Sequence, residues 1–370
     1  IAETDAITLT DVDTANGKIT ITAGGTITAT DVASLTDNDD NDITLTATSG
    51  DINVGKINAG TVAGDVKLEA VNGSILDDGD NDTRIVGDEL TLVAANGIHG
   101  SEVDTTGNSL IAHVTAAGKI EIEETNAITL TDVDTANGSI TIKAGGTITA
   151  SDVESLEDND ANDIILTATA GDVIVGKVNA GNVGDAIIEA TDGRIVDDGN
   201  GLTQLAADKG TLTAKIGIDV DTSLNNLDAS VTGTGSITVD ETNAITLTDV
   251  DTANGKITIT AGGTITAKDV VSTTDDDAND ISLTATSGDI VIDKVNAGTV
   301  AGDVNLTAML GLIKDDADTV TADVLTATAL TGINLATNIN SADLSVTGDG
   351  NINIEETNAI TLTDVDTANG

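Results

Sequence analysis

The stretch Lys18–Ala29, KITITAGGTITA, alternates aliphatic and polar residues on both sides of a Gly-Gly pair. Ile19 and Ile21 fall on one face of a period-two strand and Thr20 falls on the other, which predicts a β-strand with one buried face. The two glycines predict a turn, and Thr26–Thr30 continues the alternation beyond them. The stretch therefore predicts a strand-turn-strand element.

This element recurs along the chain at nearly constant steps. Strands of the same pattern start at positions 18, 42, 65 and 89. One such element cannot bury its own apolar face, whereas stacked copies bury a continuous column and pair their backbones with the copies above and below. We therefore predict an all-β fold, a right-handed parallel β-helix (β-solenoid) with about 20–24 residues per coil, continuous along the chain.

A longer repeat contains these coils, and we expect five or six of them in each unit. The phrase AITLTDVDTANG occurs four times, at Ala6–Gly17, Ala127–Gly138, Ala244–Gly255 and Ala359–Gly370. An array of near-identical units favours a structural or adhesive role over a single catalytic site. We expect one solenoid divided into the end of a preceding repeat (residues 1–5), three repeat units (residues 6–126, 127–243 and 244–358) and the start of a further repeat (residues 359–370).

The composition restricts the core. The 370 residues include no Phe, Trp, Tyr, Cys or Pro, so the core must consist of Ile, Leu, Val and Ala. An antiparallel immunoglobulin-like sandwich is the alternative that alternating strands allow, but such sandwiches usually bury a large aromatic residue. The missing aromatics and the short, regular step therefore favour the parallel solenoid.

The charge restricts the partners. A formal net charge of −49 argues against nucleic acid and against anionic membranes. High net charge is also typical of disordered chains, but the regular apolar pattern favours a folded one. No apolar run approaches the roughly 20 residues that span a membrane.

An acidic loop occurs at the same place in each repeat unit. The three acidic loops are residues 36–42 (TDNDDND), 157–163 (EDNDAND) and 274–280 (TDDDAND). Ca²⁺ takes about six to eight oxygen ligands, and these loops are rich in carboxylates and amides. A solvated turn rich in Asp and Asn explains the same sequence, so both interpretations stay open. The candidate calcium ligands are Asp37, Asp39, Asp40, Asp42, Asp158, Asp160, Asp163, Asp275, Asp276, Asp277 and Asp280.

Other polar groups also recur. A second acidic cluster, Asp77–Asp82, is matched by Asp197 with Asp198 and by Asp315 and Asp316 with Asp318. We expect turns at Asn58, Asn179 and Asn296, because asparagine amides bond to nearby backbone. We expect the lysines just before them to form exposed ion pairs with neighbouring acidic loops: Lys56, Lys177 and Lys294.

The sequence offers little support for catalysis. The two histidines, His99 and His113, have no counterpart in the later repeats, and thiol chemistry is absent. Sugar-binding sites usually stack aromatics, which the chain lacks. Outward Thr-x-Thr pairs such as Thr20 and Thr22 are similar to ice-binding surfaces, but Lys67 interrupts the array. We expect that the protein is not an enzyme and that it requires no cofactor. Ice binding and polysaccharide binding are less well supported than a structural or adhesive role.

Lys18–Ala29 and Asp42–Ile52 resemble the repeats of filamentous-haemagglutinin-like bacterial surface proteins. Members of that family are large secreted right-handed parallel β-helices that act as fibres and adhesins. The resemblance implies an extracellular or cell-surface location of bacterial type. Because the ends of a solenoid expose unpaired strands, we also expect self-association, head to tail or lateral, and the receptor is unknown. The prediction is therefore a structural extracellular fibre or adhesin stalk. The alternative is a calcium-dependent adhesive module.

Overall fold

The computed structural model describes residues 1–82, 84–201, 204–316 and 319–370, and it divides into two compact units, Ile1–Thr191 and Asp192–Gly370. The described residues form strands, turns and bends, with no helix among them. Parallel strands stack as a β-solenoid, with about 17 turns in all. The predicted fold class is confirmed.

The described residues of the first unit form twenty strands: β1 Ala2–Glu3, β2 Ile7–Leu9, β3 Val12–Thr14, β4 Ile19–Ala23, β5 Ile27–Ser34, β6 Ile43–Ala47, β7 Ile52–Asn58, β8 Val66–Ala70, β9 Ile75–Asp77, β10 Ile85–Val86, β11 Glu89–Ala94, β12 Ile98–Thr106, β13 Ser109–Ala117, β14 Ile120–Glu124, β15 Ile128–Asn137, β16 Ile140–Ala144, β17 Ile148–Ser155, β18 Ile164–Ala168, β19 Val173–Asn179 and β20 Ala186–Ala190.

The second unit contains the remaining strands of the described chain: β21 Arg194–Asp197, β22 Leu205–Ala214, β23 Gly217–Thr234, β24 Ile237–Glu241, β25 Ile245–Asn254, β26 Ile257–Ala261, β27 Ile265–Ala267, β28 Val270–Ser272, β29 Ile281–Ala285, β30 Ile290–Ile292, β31 Val295–Asn296, β32 Val304–Ala308, β33 Ile313–Asp315, β34 Val320–Ala329, β35 Ile333–Asp349, β36 Ile352–Glu356 and β37 Thr361–Asn369.

Coils stack in parallel register at the predicted step. Ile19 of β4 faces Ile43 of β6, and Ile43 in turn faces Val66 of β8, so the strand starts identified in the sequence are ladder partners. Longer and shorter steps occur where loops are inserted or removed, as between Ile57 and its ladder partner Ile85. The strand-turn-strand element is therefore one part of a coil.

The core is a column of aliphatic side chains inside the coils. Ile21, Leu45, Leu68 and Leu92 lie above one another on consecutive coils, and each is fully buried. Thr20, on the opposite face of β4, is exposed. Each buried Ile or Leu contributes about 1.5–3 kcal/mol relative to an exposed one, so the period-two pattern supplies the main stabilisation of the coil.

Strands alternate between two stacks, and successive repeats change stack. In the first unit β4 stacks through β6, β8, β11 and β13 to β15, while β5 stacks through β7, β9, β12 and β14 to β16. Strand β4 (ITITA) and its counterpart β16 (ITIKA) therefore lie in different stacks. One repeat unit occupies five and a half coils, in line with the expected five or six.

The repeated phrase contains a β-bulge. Leu110 of β13 faces Leu130 of β15, but the next residue, Ile111, faces Asp132, so Thr131 is left without a partner. The same shift occurs at Thr248 in the third copy of the phrase. Strand β17 then follows β15 residue for residue. The strand formed by the phrase therefore gains one residue on its neighbour at the bulge, and the register returns at the end of the strand, where Ala117 faces Asn137.

The Gly-Gly turn is required by close contact between coils. A Cβ atom on Gly145 would lie 2.0 Å from the backbone oxygen of Thr125 in the preceding coil, and one on Gly262 would lie 1.9 Å from the oxygen of Thr242. No side chain fits there, which explains why this glycine recurs in each repeat.

Candidate functional site

The three acidic loops share one backbone conformation. In the first loop the buried Asn41 side chain donates to the carbonyl oxygen of Thr36, and the Asn41 N–H donates to the carbonyl of Asn38 at 2.9 Å. Asn162 and Asn279 close the other two loops in the same way. The repeated Asn therefore fixes the loop by satisfying a backbone carbonyl.

The first aspartate of each loop binds the backbone of the next coil. Asp37 accepts hydrogen bonds from the N–H groups of Val62, Ala63 and Gly64 at 2.9–3.1 Å. Burial raises the pKa of Asp37, but these N–H groups outweigh it, and the net shift is downward. The carboxylate is therefore directed at the protein and acts as a clamp between coils.

The other two loops form the same clamp. Asp275 accepts from four consecutive N–H groups, those of residues 299–302, at 2.8–3.0 Å. Asp158 accepts from the side chain and backbone of Asn182 and from the N–H of Val183. The pKa of Asp158 is lowered, chiefly by the side-chain bond from Asn182. We call Asp37, Asp158 and Asp275 the clamp aspartates.

The turn that receives a clamp aspartate begins with the predicted Asn. The Asn58 side-chain oxygen accepts the N–H of Gly60 at 3.0 Å, which confirms the expected turn, and Asn179 and Asn296 do the same in the other repeats. Gly60 has φ of +96°, and a Cβ there would lie 2.2 Å from the Asp37 carboxyl carbon. Glycine is required at this position for both reasons.

The last aspartate of each loop also bonds to the next coil. Asp42, Asp163 and Asp280 accept the N–H groups of Asp65, Asp185 and Asp303 at 3.0–3.3 Å. In turn Asp65 accepts the N–H of Glu89, and Asp303 accepts that of Val324. Burial raises the pKa of Asp65 and of Asp303. These aspartates, which we call the ladder aspartates, form a row of side-chain-to-backbone hydrogen bonds along the starts of the strands.

The middle aspartates of the loops are exposed to solvent: Asp39, Asp40, Asp160, Asp276 and Asp277. In the part of the chain that the structure describes, no acidic loop brings three carboxylate groups within 4.8 Å of one another. The clamp aspartates and the last aspartate of each loop accept hydrogen bonds from backbone N–H groups of the next coil. The five middle aspartates are therefore the most available candidates for calcium ligands. Calcium binding by the loops stays a prediction.

The second acidic cluster forms local turns. Asp77, Asp78 and Asp80 each accept the backbone N–H of the residue two positions later, at 2.7–3.1 Å. The same turns occur at Asp197 and Asp198. Asp318, in the third copy, lies outside the described residues. These Asp side chains satisfy backbone donors, as turn residues commonly do.

The prediction that the repeated lysines pair with acidic loops is wrong. Lys56 lies 3.2 Å from Asp31, which is in strand β5 of the preceding coil. Lys177 pairs with Asp152 of β17 at 3.3 Å, and Lys294 pairs with Asp269, which lies between β27 and β28, at 2.9 Å. A lysine side chain reaches across one coil at its own register position to the Asp opposite it in the ladder, and Lys177 also reaches Glu154 at 2.7 Å.

Sequence reasoning missed a repeated buried glutamate. Glu124 Oε2 accepts from the Thr105 hydroxyl at 2.9 Å and from the Gly107 N–H at 3.0 Å, and its Oε1 accepts the Asn126 N–H at 2.9 Å. Glu241 makes the equivalent bonds in the second unit. Burial raises the pKa of both carboxyls. The available signal was the triplet Glu-Thr-Asn before three copies of the phrase.

A groove of about 400 Å³ beside Glu124 gathers charged groups of both signs. Its lining includes Asp104 and the ion pair of Lys143 with Glu123, whose Nζ and Oε1 lie 2.7 Å apart. Burial, followed by the nearby Asp77 and Glu123, raises the pKa of Asp104 to about 6. The groove is therefore a place where the folded chain takes up a proton in mildly acidic solution.

Comparison with protein-family models, curated protein sequences and solved structures finds no match. The likeness to filamentous-haemagglutinin repeats therefore rests on the sequence pattern alone. None of the described residues belongs to a helix long and apolar enough to cross a bilayer.

Proposed function

We propose that the chain is a structural segment of an extracellular fibre or adhesin stalk. The observation that carries this proposal is the coil-to-coil bonding inside each unit. Within each unit, backbone ladders join the described coils to their neighbours, and the clamp aspartates add side-chain bonds in the same direction. A repeated element whose polar groups bond to the next coil is suited to forming a long stack of coils.

The distribution of repeated carboxylates supports a structural use. The clamp, ladder and buried carboxylates recur with the repeat, and each is bonded to a neighbouring coil. A catalytic pair would need a tuned acid and base in one place. Here the recurring acids are used for stacking, and the excess negative charge on the outside keeps chains hydrated and apart.

Immunogold electron microscopy of intact source cells tests the location and form. An antibody raised against the folded chain should label filaments or stalks outside the cell envelope without permeabilisation. Label that appears only after permeabilisation would contradict the proposal.

Single-molecule pulling tests the mechanical part of the proposal independently. Extension should rise in many small steps, because coils bonded only to their neighbours detach one after another. The variant Asp275→Asn should shorten the dwell time of the steps from the coil that it clamps, and the matched control Asp277→Asn should leave it unchanged. One all-or-none rupture at low force would contradict a mechanical role.

A further inference from the structure

The cross-coil group formed by His113, Asp132 and Asp134 has the arrangement of a metal site. His113 is on β13, and the two aspartates are on β15 in the next coil, with His113 directly opposite Asp134 in the ladder. Ligand atoms of the three side chains lie within 4.8 Å of one another, and among the described residues no other group of His, Asp or Glu does this.

The two ring nitrogens of His113 have different surroundings. Nδ1 lies 3.0 Å from Oδ2 of Asp134, a hydrogen-bond distance. A carboxylate accepts hydrogen bonds, so the proton of the neutral ring belongs on Nδ1, and Nε2 presents a lone pair. A carboxylate that holds the other ring N–H is the usual support of a metal-bound histidine, since it orients the ring and raises its basicity.

The second ring nitrogen, Nε2, lies near a second carboxylate. Nε2 lies 3.7 Å from Oδ2 of Asp132, which is too long for a hydrogen bond. Two ligands of one Zn²⁺ ion, at bond lengths of about 2.0–2.2 Å, are about 3.4 Å apart at the tetrahedral angle and farther apart as the angle opens. The spacing therefore suits one ion held between Nε2 and Asp132.

The surrounding charge favours a cation. Asp132 is half exposed, and no lysine or arginine pairs with it among the ion pairs of the described residues. Lys177, which lies opposite Asp152 in the ladder, is held by Asp152 and Glu154 at 3.3 and 2.7 Å. Lys177 therefore pairs with Asp152 and Glu154, and the His113 ring faces Asp134. Asp132 is the carboxylate of this patch that has no lysine or arginine partner among the described ion pairs.

We propose that His113 and Asp132 bind a divalent transition-metal ion of the Zn²⁺, Cu²⁺ or Ni²⁺ class, with Asp134 as the positioning residue on Nδ1. The imidazole ligand selects this class over Ca²⁺ and Mg²⁺, which prefer oxygen. Water fills the remaining coordination positions. Because both ligand strands belong to one ladder, the backbone holds the site in place.

The site exists in one repeat only. Ser230 stands at the equivalent position in the second unit, where its hydroxyl donates to Asp251 at 3.3 Å, and Ser345 stands opposite Asp366 in the next repeat. The variant His113→Ser therefore installs a residue that the fold already accepts at this position. His99, the chain's other histidine, provides the matched control.

Zn²⁺ titration followed by calorimetry and by ¹⁵N NMR of the two imidazoles tests the site, with excess Ca²⁺ present to occupy oxygen-only positions. We expect one Zn²⁺ per chain and a shift of the His113 Nε2 resonance. His113→Ser should abolish this binding, His99→Ser should leave it unchanged, and Asp134→Asn should weaken it about 10–100-fold. Equal Zn²⁺ binding by His113→Ser, with circular dichroism unchanged, would overturn the proposal.

Discussion

Single aspartates join one coil to the next. The clamp aspartates each accept two to four N–H groups from a turn in the following coil, and the exposed loop aspartates beside them make no such bonds in the described structure. The acidic loop therefore contains residues with different roles that composition alone does not separate.

Asp275→Asn should destabilise the turn at residues 299–302, because an amide offers one acceptor oxygen, without charge, in place of two charged ones. Weakened bonds to four N–H groups should cost about 1 kcal/mol in this exposed setting. Hydrogen exchange read by mass spectrometry should show faster exchange at residues 299–302. Asp277→Asn removes the same charge from the same loop and should leave that turn protected. Equal effects of the two variants would show that charge alone matters.

Buried carboxyls and clamp aspartates make the stability of the fold depend on pH in opposite senses. Burial raises the pKa of Glu124 and Glu241, and that of Asp104 rises from 3.8 to about 6. The folded state binds protons more tightly than the unfolded state at these groups. Their stabilising contribution is complete below the unfolded pKa and is lost as pH rises through the folded pKa. The clamp aspartates have lowered pKa values, so their contribution is lost as pH falls below 3.8.

The melting temperature should therefore rise as pH falls from 7 to about 5 and should drop again below about pH 4. Thermal melts by circular dichroism across this range measure the effect. Asp104→Asn mimics the protonated acid, so it should raise the melting temperature at pH 7 and flatten the part of the curve near pH 6. An unchanged slope in this variant would exclude Asp104 as a source.

At the scale of the element, the strands were predictable and their stacking offset was not. Strands β4, β6, β8 and β11 follow from alternation over five or six residues, which is local information. Whether a repeat holds a whole number of coils depends on every insertion along it. The three-residue shift in β12, between Ile98 and Val103, was invisible to a periodicity argument.

The same distinction between local and long-range information applies to the residues of the candidate site. The Asn turns could be predicted because their bonds span two residues. The donors to Glu124 come from Thr105 and Gly107, 19 and 17 residues earlier, so its burial required the coil register. The partner of Lys56 was misassigned for the same reason, since Asp31 is 25 residues away in sequence.

Gly145→Ala tests the close contact between coils. The new Cβ would lie 2.0 Å from the Thr125 oxygen, so the turn or the neighbouring coil must move. Such overpacking typically costs about 1–3 kcal/mol, and the melting temperature should fall. Gly201→Ala is the control, because a Cβ there meets nothing within 4 Å. A melting temperature for Gly145→Ala equal to that of the control would disprove the contact.

At the scale of the whole molecule, self-repulsion opposes folding. With 63 acidic and 14 basic residues, added salt should screen the repulsion and raise the melting temperature. Calcium chloride at the same ionic strength separates screening from binding. If the acidic loops bind Ca²⁺, a further saturable rise should appear and should become smaller on Asp39→Asn with Asp40→Asn, which alter the first of the three loops. Identical curves in the two salts would leave the loops as turns and clamps only.

The register of the coils is tested most directly by disulfide trapping, because the chain has no cysteine of its own. Thr20 faces Thr44 in the first unit, and Thr258 faces Ser282 in the second. Paired strands about 4.8 Å apart lie within disulfide reach, whereas Thr20 and Thr46, on the same face but two residues out of register, are about 8 Å apart. Mild oxidation of the paired cysteine variants should close intramolecular disulfides in both units, seen as the loss of two hydrogens by mass spectrometry. The Thr20→Cys, Thr46→Cys variant should stay reduced. Equal trapping of this out-of-register pair, or disulfides that form only between chains, would contradict the parallel solenoid.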